Sequence, residues 1–150
     1  MRTLFTISIT LIFSLNIISQ TINGTYAIKN VESGKLLRPK NANKQNETPI
    51  VLYSPTNWKC LTWYFKNIEG ETYQLKNLFT NKTSISKNNE LKQSSLSKSD
   101  KNQHWVFEKE NNQYRIRLKD SNLYITPSDK NGATNSTVIL SNKINSDIQL

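Results

Sequence analysis

One cysteine and one histidine in 150 residues exclude a disulfide framework, a multi-Cys/His zinc site and any cysteine pair within the chain. Cys60 and His104 stand 44 residues apart, and no motif around either couples them as nucleophile and base. Four glycines do not make a phosphate-cradling loop. Glu69 and Glu71 flank Gly70 in a polar turn and read as solvated, so nothing points to paired catalytic carboxylates. The expectation is a protein that is not an enzyme, with no cofactor and no metal. Acidic groups are also scarce, 11 against 20 Lys+Arg, for a formal charge of +9. That balance favours anionic partners without naming one. Hydrophobic residues reach only 35% and mean hydropathy is -0.62, which does not suit long core helices or membrane bundles.

The one long apolar run is at the start. Met1-Arg2-Thr3 is a short positive lead, and Leu4 to Ile18 is mostly apolar and uncharged. This reads as a signal peptide over residues 1–19, cut after Ser19, since the run is short for a span of about 20 residues. A membrane anchor would want a basic cluster directly after it. On this reading no membrane span remains after signal removal, and the mature chain is secreted and extracellular, or periplasmic in a Gram-negative bacterium. Cys60 is then an unpaired thiol, expected to be buried between Trp58 and Leu61-Thr62-Trp63.

What is abundant is repetition. Thr25-Tyr26-Ala27-Ile28-Lys29-Asn30, Thr72-Tyr73-Gln74-Leu75-Lys76-Asn77 and Gln113-Tyr114-Arg115-Ile116-Arg117-Leu118 each carry a tyrosine and alternate apolar with polar residues, the mark of a half-buried strand. The tyrosines lie 47 and 41 residues apart. A second strand is expected at Leu36-Leu37, Thr83 to Ile85 and Leu123 to Ile125. A third is expected at Ile50 to Tyr53, Ser94-Ser95-Leu96 and Val138 to Leu140. The fourth is aromatic-led, Trp63-Tyr64-Phe65 and Trp105-Val106-Phe107. Repeats of about 23–70, 71–111 and 112–150 make an all-β chain of three four-stranded units, which suits a threefold barrel with a hairpin cap better than a three-bladed propeller or an irregular sandwich. The third unit has no aromatic-led strand, and Gln149-Leu150 are the last residues. The expectation is a trefoil whose last strand is missing, from a truncated product or one completed by a neighbouring strand. Trp63, Trp105, Tyr26, Tyr73 and Tyr114 are the expected core aromatics.

Gly24-Thr25-Tyr26-Ala27-Ile28-Lys29-Asn30-Val31-Glu32-Ser33-Gly34-Lys35-Leu36-Leu37, together with Gln103-His104-Trp105 as a Gln-x-Trp motif, resembles the ricin B-type lectin family of β-trefoils over residues 23–150. The resemblance implies a sugar site in each competent repeat. It consists of an Asp after the second strand, an amide residue and an aromatic at the end of the third, and an Asn-Gln pair at the Gln-x-Trp motif. Polar groups pair with sugar hydroxyls while the ring covers the apolar face. In repeat one Arg38 stands for the Asp and Val51 for the amide residue, Tyr53 supplies the ring, and Leu61-Thr62-Trp63 replaces the motif. Repeat two reads Ser86 for the Asp (Ile85 without a gap) and Ser97 for the ring, and keeps Asn102 and Gln103. Repeat three has Thr126 and Ser141, with Asp129 as a substitute acid.

The candidate carbohydrate-binding residues are therefore Tyr53, Arg38, Asn102 and Gln103, with Trp58 as a further stacking candidate and His104 read as an exposed strand residue. Arg38 reverses the charge of an acidic pocket and suits a sulfate or carboxylate. The reading is a secreted carbohydrate-binding domain with degenerate sites, whose partner is a glycan, anionic or sulfated. The alternative is a basic trefoil scaffold that binds protein or anionic polysaccharide without recognising hexose. Scattered lysines and the export segment argue against a nucleic-acid partner.

Overall fold

The three tyrosine-led stretches become β1 (Gly24–Tyr26), β5 (Thr72–Asn77) and β9 (Gln113–Leu118). The computed structural model describes residues 21–149, so the stretch read as a signal peptide lies outside the described residues. The two Trp-x-Phe stretches form β4 (Trp63–Glu69) and β8 (Trp105–Glu110). β4 pairs antiparallel with β1 and β5, and β8 with β5 and β9, which builds the barrel wall. Three hairpins cap it: β2 (Leu36–Pro39) with β3 (Ile50–Tyr53), β6 (Thr83–Lys87) with β7 (Glu90–Ser94), and β10 (Leu123–Pro127) with β11 (Val138–Asn142). Bridges Pro49–Lys92, Val51–Thr137 and Glu90–Ile139 tie each hairpin to the next. This is the threefold β-trefoil arrangement. Among the described residues no helix is long and apolar enough to cross a membrane.

Trp63 and Trp105 are buried and sit at matching points. The Trp63 indole donates to the Leu37 carbonyl at 3.0 Å and that of Trp105 to the Ser84 carbonyl at 3.4 Å. Phe65, Tyr73 and Phe107 meet edge-on or tilted at 5.2–6.0 Å in the barrel interior, a favoured geometry for aromatic clusters. Cys60 is buried with Leu36 and Leu61 in a smaller cluster beside the first hairpin.

Two expected elements differ. The third strand of the second unit is Glu90–Ser94, not Ser94-Ser95-Leu96, and Leu96 is exposed. A two-residue turn at Asn88 and Asn89, both at positive φ, folds Glu90–Ser94 directly back on β6, with Leu91 in the core. The first opening strand is also shorter than its sequence pattern, since β1 ends at Tyr26 while β5 and β9 run six residues. Tyr26 is accordingly not a core residue. It is 48% exposed, with one ring edge on Phe65, whereas Tyr73 is fully buried and Tyr114 half-buried against Phe107. The ladder between β1 and β4 stops at Tyr26, and beyond it Lys29 bridges instead to Leu36 of β2. No strand follows β11 among the described residues, and Asp147–Gln149 is a single 3-10 turn.

Candidate functional site

In the first hairpin Leu36 lies opposite Tyr53 and Arg38 opposite Val51. Side chains two apart share a face, and diagonal cross-strand neighbours are within reach of long side chains. Arg38 thus leans over Tyr53, its guanidinium carbon 3.4 Å from the ring centroid. The loop after β3 brings Trp58 onto the same ring, 5.9 Å between centroids at 27°. The 3-10 turn Lys59–Leu61 that follows packs Cys60 and Leu61 beneath them. Arg38, Tyr53 and Trp58 form one stacked column, buried at the arginine and 47% exposed at the tryptophan.

The arginine is the unusual member. It is 7% exposed, its Nε has no hydrogen-bond partner, and no carboxylate pairs with it among the described residues. A cation over a ring is stabilised by the quadrupole, but that contact leaves the guanidinium donors unspent. Buried charge without a counter-ion is costly, so the column is ready for an anion.

The equivalent places in the other units lack this pairing. By register the counterparts of Arg38 and Tyr53 are Ile85 and Ser94 in unit two, and Thr126 and Ser141 in unit three. The structure therefore puts Ile85, not Ser86, at the acid position and Ser94, not Ser97, at the ring position. Thr126 and Ser141 bond to each other at 2.8 Å, and both accept from Gln149. Asp129 caps its own loop through the amides of Asn131 and Ala133.

Gln103 is buried and occupied. Its carbonyl accepts from Gln74 Nε2 at 2.8 Å and Ser97 N at 2.9 Å, and its amide donates to the Ser95 carbonyl at 2.9 Å. It braces the barrel and offers no free acceptor to a ligand. Asn102 is exposed, with its side-chain amide turned to Asp100 at 3.1 Å. Neither belongs to the Arg38 column. Among the described residues no group of His, Cys, Asp and Glu is placed to hold a metal ion.

His104 is buried, not exposed, and neither ring nitrogen makes a hydrogen bond of ordinary geometry among the described residues, the backbone of Lys98 being its nearest polar contact. Its neighbours in the motif gave no sign of this; Glu69 and Lys119, distant in sequence, lie near the ring, and Lys119 N donates to the His104 carbonyl. Desolvation, then the nearby Lys119 charge, hold its pKa below the usual 6.5, against weaker opposing pulls from Asp100 and Glu69. The unfolded chain thus takes up this proton first. Stability should fall as pH drops below about 6.5 and level off once the folded imidazole also protonates. Glu69, Glu110 and Asp120 have lowered pKa values, through ion pairs with Lys119, Arg115 and Lys101 respectively. Their contribution is present above the ordinary carboxylate range and is lost only below it. As the chain has one histidine, urea midpoints between pH 7 and pH 5 isolate His104. We expect a decline in the native chain and a flat profile in His104→Leu, and equal slopes would refute the assignment.

The family model of ricin-type beta-trefoil lectin domain-like proteins matches residues 13–90. No curated protein sequence matches the chain. Three solved structures illustrate the likeness of fold. The designed 3-fold symmetric protein ThreeFoil superposes with a TM-score of 0.78 at 20% identity, covering 85% of this chain and 95% of that one. A mosquitocidal holotoxin gives 0.76 at 23% identity, over 91% of this chain but only 17% of the toxin. The ricin B-like lectin of Macrolepiota procera, solved with lactose, gives 0.70 at 17% identity, over 87% and 95% of the two chains.

Proposed function

Because the chain belongs to the ricin-type beta-trefoil lectin domain-like family, we propose that it is a non-catalytic carbohydrate-binding domain, spanning residues 20–150 and secreted, whose working site is the Arg38–Tyr53–Trp58 column and whose ligand is an acidic glycan. The observation that carries the reading is the buried guanidinium without a counter-ion, stacked on the Tyr53 ring that also meets the exposed Trp58. Trp58 offers a flat apolar face for a sugar ring, and Arg38 offers paired N–H donors for a sulfate or carboxylate on that sugar. Units two and three keep neither the cation nor the ring, so one site is expected per chain. Secretion rests on the charge and apolar pattern of residues 1–19.

The test is binding of the full chain to lactose and to sulfated lactose at low and high salt. Arg38→Met, which keeps the stem, should weaken the sulfated sugar about tenfold, a modest figure for a charge-assisted pair, and leave lactose unchanged. Trp58→Ala should weaken both. Equal affinity of Arg38→Met for the sulfated sugar, or indifference to salt, would remove the anionic preference. The charge of +9 supports a second reading, a basic scaffold that binds acidic polymers of any backbone. In that case an acidic polypeptide would compete as well as the sulfated sugar, and lactose not at all.

A further inference from the structure

β4 buries Trp63 and Phe65 in the core, so the alternation of a strand turns Tyr64 and Lys66 to the outer wall of the barrel. Across the ladders Tyr64 lies opposite Thr25 of β1 and Lys76 of β5. That register brings Lys76 beside the tyrosine ring and sets Lys66 diagonal to Lys76. Tyr64 is 40% exposed, and neither lysine forms an ion pair among the described residues.

The second unit shows the same wall in a neutral form. Trp105 pairs with Leu118 as Trp63 pairs with Asn77, so Val106 stands for Tyr64, Glu108 for Lys66 and Arg117 for Lys76. Arg117 Nε donates to the Glu108 carboxylate at 2.5 Å, and the Tyr124 hydroxyl donates to the same carboxylate at 3.0 Å. Opposite charges on neighbouring strands stabilise a sheet, and like charges weigh against it. Two lysines without an acid therefore add nothing to the stability of the β4–β5 wall. What they do is raise the positive potential around an exposed aromatic ring.

This face continues from the Arg38 column. Thr62 is extended, at φ -113° and ψ 136°, and directly precedes β4, so its side chain lies on the Tyr64 side. Its hydroxyl donates to the Trp58 carbonyl at 3.3 Å. From Thr62 to Lys66 the strand runs about 13 Å at the usual rise per residue, farther than one sugar ring reaches. We propose that Tyr64, Lys66 and Lys76 form a second subsite, and that the ligand is an internal stretch of an acidic polysaccharide, not a single acidic sugar. The inference rests on the reading of the column as the primary site and extends it. Tyr64 offers its ring to the apolar face of a sugar. An ammonium is a point charge on a flexible stem, which suits sulfates or carboxylates repeated along a chain, whereas the buried Arg38 takes one such group in a fixed place.

The probes are size-defined chondroitin sulfate oligosaccharides, from disaccharide to octasaccharide, titrated into the full chain by calorimetry. We expect affinity to rise about tenfold with length as the second subsite is engaged. Lys66→Gln/Lys76→Gln should weaken the octasaccharide about tenfold and leave the disaccharide unchanged, and Tyr64→Ser should act in the same sense. Lys109→Gln/Lys143→Gln, which removes the same charge at two exposed positions elsewhere, should leave every length unchanged. Arg38→Met should weaken all lengths. A cooperative thermal melt checks that each variant is folded. Failure of every oligosaccharide to bind, or full affinity in Arg38→Met, would remove the column reading and this proposal with it. With the column intact, affinity independent of length, or equal losses in the two double-lysine variants, would overturn the second subsite alone. So would polyglutamate competing as well as the octasaccharide, since the face would then read charge without sugar.

Discussion

Trp105→Ala will destabilise the fold by about 3–5 kcal/mol, the range for deleting a large buried aromatic side chain. The residue is fully buried, pairs with Tyr73 on one strand and Leu118 on the other, and its indole donates to the Ser84 carbonyl. Alanine would leave a cavity between β5 and β9 and strip that carbonyl of a donor in a place closed to water. Typical domains hold only about 5–15 kcal/mol in all. A loss of this size would leave much of the population unfolded on mild heating. The measurement is urea unfolding by tryptophan fluorescence and circular dichroism, with a lowered midpoint and an unchanged slope. Trp58→Ala is the internal comparison, since Trp58 is 47% exposed and its removal should shift stability by less than about 1 kcal/mol. If the two variants unfold at the same midpoint, Trp105 is not the centre of the wall.

The fold was legible in the sequence because its strongest signal is local. A tyrosine followed by alternating residues, three times in phase, marks the three opening strands, and two Trp-x-Phe stretches supply the strands that join them. What failed was whatever depends on a distant neighbour. Tyr26 carries the same local pattern as Tyr73, yet one is about half exposed and the other fully buried, because burial of an opening strand is decided by the strand beside it. The third strand of unit two was hidden by Gln93, a polar residue at a core position. Its Nε2 donates to the carbonyls of Asn43 and Gln45 at 2.6 Å each, so the loop of another unit holds the amide there even though its buried Oε1 has no partner, and it breaks the apolar pattern that Leu96 imitates. In the site, the resemblance to the ricin B-type family implied an acid where Arg38 stands. The burial of Arg38 against Tyr53 could not be read from the sequence, as it follows from the β2–β3 register and from a loop that carries Trp58 back over the ring. His104 was misread for the same reason, since groups near its ring, Glu69 and Lys119, are distant in sequence.

The largest polar effect should come from Gln103→Leu, which we expect to cost about 2–3 kcal/mol, the scale for leaving buried hydrogen-bonding groups unpaired. The variant removes the acceptor of Gln74 Nε2 and Ser97 N and the donor to the Ser95 carbonyl. Unit three holds the same brace, with Gln149 accepting from Ile144 N and Arg115 Nη1 and donating to the Asn142 carbonyl. Unit one has Ala27 and Leu61 at the two corresponding positions, and Leu61 is buried in an apolar cluster. The protein has thus replaced both partners there, not one, which is what the energetics of buried polar groups favours: removing one partner orphans the other, while removing both is nearly neutral. The double variant Gln74→Ala/Gln103→Leu, which copies unit one into unit two, should therefore recover at least 1 kcal/mol relative to Gln103→Leu alone, a coupling typical of contacting residues. Urea midpoints of the two single variants and the double variant close the cycle. Additive losses would mean that the two glutamines act independently, and that Ala27 and Leu61 are unrelated substitutions and not a matched apolar replacement of the brace.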